Sequence, residues 1–302
     1  YIIHDKTLKK GFFSDLFISS TLVSMYGKCQ ALVMESENVF SAMCEHTVAS
    51  WNAMLCVYVE HGMGEKALQL YAQVNKRGVF NDKSTIITAL QACAVLVKEE
   101  RNFLAVDQYT KVRIALELGH ALHANSRREG SEGDSDIRST LISLYGKCGA
   151  ITEAENVFGT LFQRDVVAWN AMIKGYGLNH DSNTSLQFFI NMENEGVLPN
   201  SVTFICILTA CSHNSLVTEG RKYFFMMIEK YSITPSLDHL SCMVDLFARS
   251  GSLIEAEKFL ETLPFSSSKD VWLPLLTACK TYIDVDLGFR CFQKLIDINP
   301  DC

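Results

Sequence analysis

Two short stretches of this chain set an indole beside an amide. SWNAML spans Ser50–Leu55 and AWNAMI spans Ala168–Ile173, so the pairs Trp51-Asn52 and Trp169-Asn170 stand 118 residues apart. An asparagine amide carries donors and an acceptor together and can address a hydrogen-bonding edge. The indole beside it brings a large apolar face. A second group with chemical potential is ELGHALH, where His120 and His123 follow Glu117 at helical spacing. Two imidazoles and a carboxylate are ingredients of a zinc site. Eleven cysteines add thiols able to ligate or react.

None of these completes a catalytic set. His120 and His123 have no evident fourth ligand, so the reading is that they pack on a helix. No two cysteines form a C-x-x-C pair, and most sit in apolar runs such as LQACA, ICILTACS and LLTACK. They read as small hydrophobes between close helices, reduced in an intracellular compartment. The phosphate-cradling glycine loops, H-E-x-x-H, and the H-x-E with P-C-x-x-C of zinc deaminases are all missing from the sequence. The expectation is a protein that is no enzyme by itself, with no metal, cofactor or small-molecule substrate.

Composition narrows the class further. Of 302 residues, 48% are hydrophobic and 20% charged, enough apolar matter for a substantial core. No run approaches the roughly 20 apolar residues that span a bilayer, so no membrane is expected. The formal charge of -7 argues against a strongly basic nucleic-acid binder while leaving room for a local basic groove. Lys28 and Lys147, at one position of two similar stretches, read equally as part of such a groove or as solvated surface charges. The chain opens at Tyr1, so any targeting peptide was removed or lies upstream.

The elements that would position these side chains emerge from self-comparison. STLVSMYGKCQAL from Ser20 recurs as STLISLYGKCGAI from Ser139, and ESENVFSAM from Glu35 as EAENVFGTL from Glu153. SCMVDLFARSGSLIEAEKFLETL from Ser241 is a weaker copy, and LQAC, LTAC and LTAC end at Cys93, Cys211 and Cys279. Within a copy, Leu141, Ile142, Leu144 and Tyr145 follow helical spacing, and Gly149 or Gln30 sits where the chain must reverse. Ile151, Ala154, Val157, Phe158 and Leu161 then form a second stripe. A two-helix unit cannot bury its stripe alone, so neighbours must stack. The fold class expected is all-α, an α-solenoid.

VVAWNAMIKGYG…GVLPN resembles a pentatricopeptide repeat, and LYGKCGAITEAENVF is similar to the short variant of that repeat. VTFICILTACSHNSLVTEGRKYFFMMIEKYSITPS resembles the long variant, and VWLPLLTACKTYIDVDLGFRCFQKLIDINPDC resembles the E-type extension motif that closes plant-type (PLS-class) members. The resemblance implies a right-handed solenoid parsed as short 16–47, standard 48–82, long 83–134, short 135–165, standard 166–200, long 201–236, short 237–269 and extension 270–302. Residues 1–15 resemble the end of a preceding long unit, so the array continued upstream or is capped by a partner. The long unit at 83–134 is 16 residues longer than its counterpart at 201–236. The excess, near 97–114, reads as a surface loop or a lengthened helix pair, and more sharply as a docking element.

The resemblance also implies a function: reading single-stranded RNA at one base per repeat, through the fifth residue of a unit together with its last. Carried over, the pairs are Asn52 with Asp82 (uracil), Ser139 with Asp165 (guanine-leaning) and Asn170 with Asn200 (a pyrimidine). Ser20 with Thr47 departs from the usual last-position Asp or Asn, and Ser241 has no certain partner. Ile87 with Asp134 and Ile205 with Ser236 lack a polar fifth residue and read as buttresses. The expected role is organellar RNA metabolism, mitochondrial or else plastid, acting on mRNA or rRNA in editing, processing, stability or translation. The alternative is a scaffold subunit of an organellar ribosome or another large ribonucleoprotein. Protein partners, ribosomal proteins or an editing deaminase, would meet the extension motif or the insertion. Trp51 and Trp169, at position four, are read as core.

Overall fold

The computed structural model describes residues 15–29, 33–78, 82–98, 105–128, 130, 133–264 and 268–298. Among them every regular element is a helix, sixteen in all. The chain divides into two stacks, Tyr1–Leu161 and Phe162–Cys302. The first holds α1 (Leu16–Gly27), α2 (Val33–Ala42), α3 (Val48–Glu60), α4 (Gly64–Lys76), α5 (Lys83–Lys98), α6 (Ala105–Arg128), α7 (Ser135–Lys147) and α8 (Ile151–Gly159). The second holds α9 (Val166–Leu178), α10 (Ser182–Asn194), α11 (Ser201–His213), α12 (Val217–Glu229), α13 (Leu237–Arg249), α14 (Leu253–Glu261), α15 (Lys269–Tyr282) and α16 (Val285–Ile298).

Consecutive helices pair into hairpins, and the first helix of each hairpin packs on the first helix of the next: α1 on α3 on α5 on α7, and separately α9 on α11 on α13 on α15. That is the α-solenoid arrangement. First helices are sandwiched between neighbours and are therefore apolar over much of their circumference. α11 buries Phe204, Cys206, Ile207, Leu208, Ala210 and Cys211. Second helices have one covered face. α4 buries Ala67, Leu70, Tyr71 and Val74, a single stripe at 3- and 4-residue spacing.

Each first helix starts from a residue that can cap it. Asp15, Thr47, Asp134, Asp165 and Asn200 accept backbone N–H bonds from the first turn with their side chains, and Ser268 does so for α15. Asp82 Oδ1 accepts from the Thr85 amide at 2.8 Å and so caps α5. At Ser236 the acceptor is the His239 ring, whose Nδ1 takes the Ser236 amide at 3.1 Å. Such caps satisfy amides that helix geometry leaves orphaned. Reversals within hairpins use left-handed residues: Gly62, Gly149 and Gly251 lie at φ 73, 78 and 85°, where a Cβ would be strained. Gln30 and residues 1–14 lie outside the described residues.

Close approach of first helices explains the small residues. Cys93 and Cys211 are fully buried, and a Cβ added to Gly177 on α9 would stand 2.7 Å from Ala210 Cβ on α11. Buried serines tie each hairpin together: Ser36 donates to the Val23 carbonyl at 3.1 Å and Ser185 to that of Ile173 at 2.8 Å. The long insertion is helical where it is described. α6 runs 24 residues against 13 for α12 in the matching position, with residues 99–104 outside the described set. So a lengthened helix pair, not an extended loop alone, holds residues 105–114. No described helix is long and apolar enough to cross a membrane.

Candidate nucleic-acid interface

Helix geometry decides which polar side chains meet. A residue one turn into a first helix stands beside the capping residue of the following first helix. In the first stack Asn52 Nδ2 donates to Asp82 Oδ1 at 3.0 Å, across thirty residues of sequence. Thr85, three residues after the cap, closes the group: its hydroxyl lies 2.7 Å from Asn52 Oδ1 and 2.8 Å from Asp82 Oδ1. Asn52 is only 8% exposed, while Asp82 is exposed. The carboxylate is therefore the outer member of the pair and the amide the recessed one. Burial pushes the Asp82 carboxyl up, but the Thr85 amide, the Asn52 amide and the Ser84 amide together hold it below its ordinary value.

The second stack repeats the layer with a difference. Asn170 Nδ2 donates to Asn200 Oδ1 at a longer 3.3 Å, and Asn170 Oδ1, buried, has no hydrogen-bond partner. Thr203 here serves the cap alone, with its amide and hydroxyl 3.0 and 3.1 Å from Asn200 Oδ1. Ser139 on α7 is 5% exposed and its hydroxyl is unpartnered; Asp165, in the other stack, caps α9 through the Ala168 amide at 2.8 Å.

The remaining candidates are less suited to a ligand. Ser20 donates its hydroxyl to the Leu16 carbonyl of its own helix, and Thr47 caps α3. Ser241 is exposed on α13. Ile87 is half-buried, and Asp134 is engaged by Lys83 Nζ at 2.7 Å as well as by the α7 amides. Ile205 is half-buried. Lys28 is exposed at the end of α1, near Glu60 and His61, and Lys147 ends α7.

Trp51 and Trp169 are 2% exposed. The Trp51 ring sits 5.0 Å from Phe40 with the Arg77 guanidinium over its face at 5.2 Å, so the indoles build the core against which the adjacent amides are set. His120 and His123 lie tilted against Tyr145, with ring centroids 5.4 and 6.2 Å away, and His123 Nδ1 lies 3.2 Å from the Tyr145 hydroxyl. Among the described residues no three His, Cys, Asp or Glu side chains converge as a metal site would require. Thr85 and Thr203 are the participants that sequence reasoning missed. Their signal was present in Asp82-x-x-Thr85 and Asn200-x-x-Thr203, a cap followed by a hydroxyl at the third helical residue.

Family models agree with the repeat geometry: a PPR repeat family model matches residues 164–213, and a PPR repeat model matches 49–79, 138–166 and 202–231. Pentatricopeptide repeat-containing protein At4g30700 of Arabidopsis thaliana is 35% identical over 301 residues, all of this chain and 36% of that protein. This chain is a pentatricopeptide repeat protein. Another Arabidopsis pentatricopeptide repeat protein, the chloroplastic CRR2, is 32% identical over 99% of the chain and 43% of its own length. The chain thus spans well under half the length of either relative. Among solved structures the repeat stack is similar to maize PPR10 (TM-score 0.46, 15% identity, 97% of this chain and 47% of that one). It is also similar to PPR10 in complex with an 18-nt psaJ RNA element (TM-score 0.45, 18% identity, 93% and 48%).

Proposed function

We propose that this pentatricopeptide chain binds single-stranded RNA in an organelle and reads selected bases through paired residues of adjacent repeats, without catalysis of its own. The observation that carries this reading is the Asn52–Asp82 hydrogen bond, repeated at Asn170–Asn200 in a separate stack. Repeat proteins of this kind use two or three side chains per helical repeat to read one unstacked base. With one amide N–H spent on Asp82, Asn52 retains another donor, and Asp82 retains Oδ2 as an acceptor. A donor beside an acceptor complements the O4 and N3–H of uracil. Asn170 with Asn200 is assigned to a pyrimidine.

In this reading the chain is a plant-type member built of long, short and standard units and closed by an E-type extension over α15 and α16. Its targets in this reading are organellar mRNA or rRNA, and editing or processing chemistry comes from a partner docked at the extension or on the insertion at α6. The apolar fifth residues Ile87 and Ile205 and the net charge of -7 favour few phosphate contacts and a code confined to some layers. The test is a gel shift on short oligoadenylate RNAs carrying single U, C or G substitutions. Asn52→Ala should weaken binding of the U-bearing RNA roughly three- to tenfold, as expected for one lost hydrogen bond. Equal affinity of Asn52→Ala, Asn170→Ala and the parent for every RNA would instead support the scaffold role.

A further inference from the structure

We infer that Thr85 is a positioning residue for the Asn52 layer, fixing which face of the Asn52 amide a base meets; the inference rests on the RNA-reading function proposed above. Asp82 Oδ1 already receives the Thr85 backbone N–H at 2.8 Å and the Asn52 N–H at 3.0 Å. The single Thr85 hydroxyl proton is then best used on Asn52 Oδ1, 2.7 Å away. The result is a closed ring of three residues. Turning the Asn52 amide over would set its carbonyl against the carboxylate and its NH2 against a hydroxyl that must then reverse. Thr85 is 1% exposed, so no solvent stands ready to replace the lost bond.

Asn170 is the internal comparison. Thr203 holds the equivalent place, yet its hydroxyl is used in a reciprocal cap, accepting the Asn200 amide at 3.0 Å. Asn200 Oδ1, held by the Thr203 amide and hydroxyl, presents Asn170 with an acceptor as Asp82 does Asn52, but no hydroxyl donates to the carbonyl of Asn170. Asn170 is left with one bond of 3.3 Å and an unpartnered carbonyl. The equivalent asparagine is therefore held at both ends in one layer and by a single, longer bond in the other. A locked amide presents only a donor beside the Asp82 carboxylate and selects uracil over cytosine. An unlocked one tolerates both.

The test uses the full chain and oligoadenylate RNAs in which one U or one C is scanned along the sequence, with the ratio of the two affinities as readout. Thr85→Val keeps the capping N–H and the side-chain shape and removes only the hydroxyl. It should lower the U-over-C ratio at the nucleotide read by Asn52 by about three- to tenfold, the effect of one hydrogen bond, while leaving the Asn170 nucleotide unchanged. Thr85→Ser should restore the ratio. If Thr85→Val does not fold, Thr85→Cys, a weak donor of similar size, takes its place. A ratio kept by Thr85→Val but lost by Asn52→Ala overturns the role of Thr85 alone. A ratio unmoved by either overturns the reading of this layer and the inference with it.

Discussion

The His239 ring and the Ser201 carbonyl lie 3.0 Å apart, joining the starts of two successive first helices. Since Nδ1 of the same ring accepts from the Ser236 amide, the imidazole must be neutral with its proton on Nε2. Burial lowers its pKa, against the opposing effects of the Ser201 bond and the Asp238 charge. A base whose folded pKa is depressed stabilises fully above its unfolded value, near 6.5, and loses that contribution as pH falls towards the folded value. Thermal melting should therefore shift downward from about pH 7.5 to about pH 5. His239→Gln, a residue suited to the third helical position, should flatten this portion of the pH profile.

Buried thiols should be inert. Burial pushes Cys93 and Cys211 up to about 12, so almost no thiolate forms at neutral pH. Cys29 and Cys44 are exposed. Alkylation with iodoacetamide followed by peptide mass analysis should label those two in the native protein. Cys93 and Cys211 should react only after denaturation.

Two glycine substitutions should have opposite signs. A Cβ on Gly177 would meet Ala210 Cβ at 2.7 Å and its Cα at 3.1 Å. The clash involves backbone, and overpacking of this kind costs about 1–3 kcal/mol, more than the ~1 kcal/mol gained from alanine's helix propensity. Gly177→Ala should lower the denaturation midpoint in urea. Gly159→Ala, where nothing lies within 4 Å, should raise it.

RNA recognition at the Asn52 layer should be insensitive to mild acid. Burial raises the Asp82 carboxyl, but hydrogen bonds from the N–H groups of Thr85, Asn52 and Ser84 outweigh it and leave the pKa lowered. The ionised form is thus kept until pH falls below the ordinary carboxylate range. The U-over-C affinity ratio should be constant from about pH 8 to about pH 5, whereas Asp82→Asn should reduce it throughout.

The architecture was legible because repetition fixes it. Ser20 and Ser139 head nearly identical stretches, and Leu141, Ile142, Leu144 and Tyr145 mark a helix face that only stacking can cover. What escaped the sequence was the division of labour at helix starts. Asp82 and Asn200 stood out as members of base-reading pairs, yet each also caps a helix, and capping alone would favour those residue types there. The recessed setting of Asn52 and the unpartnered carbonyl of Asn170 depend on sub-ångström differences between layers that no residue pattern encodes. The helical extension at α6 was one of two readings of its length, since its polar composition suits a surface loop equally.

Helix starts at Asp82, Asp165 and Asn200 carry a consequence for how target preference can change. Each of these positions must first initiate a helix, so its permitted alphabet is short: Asp, Asn, Ser, Thr and, less well, Gly. Drift towards a new nucleotide has to move within those letters or give up the integrity of the next layer. A change at Asn52 or Asn170 carries no such obligation, so that half of each pair has the wider latitude to evolve.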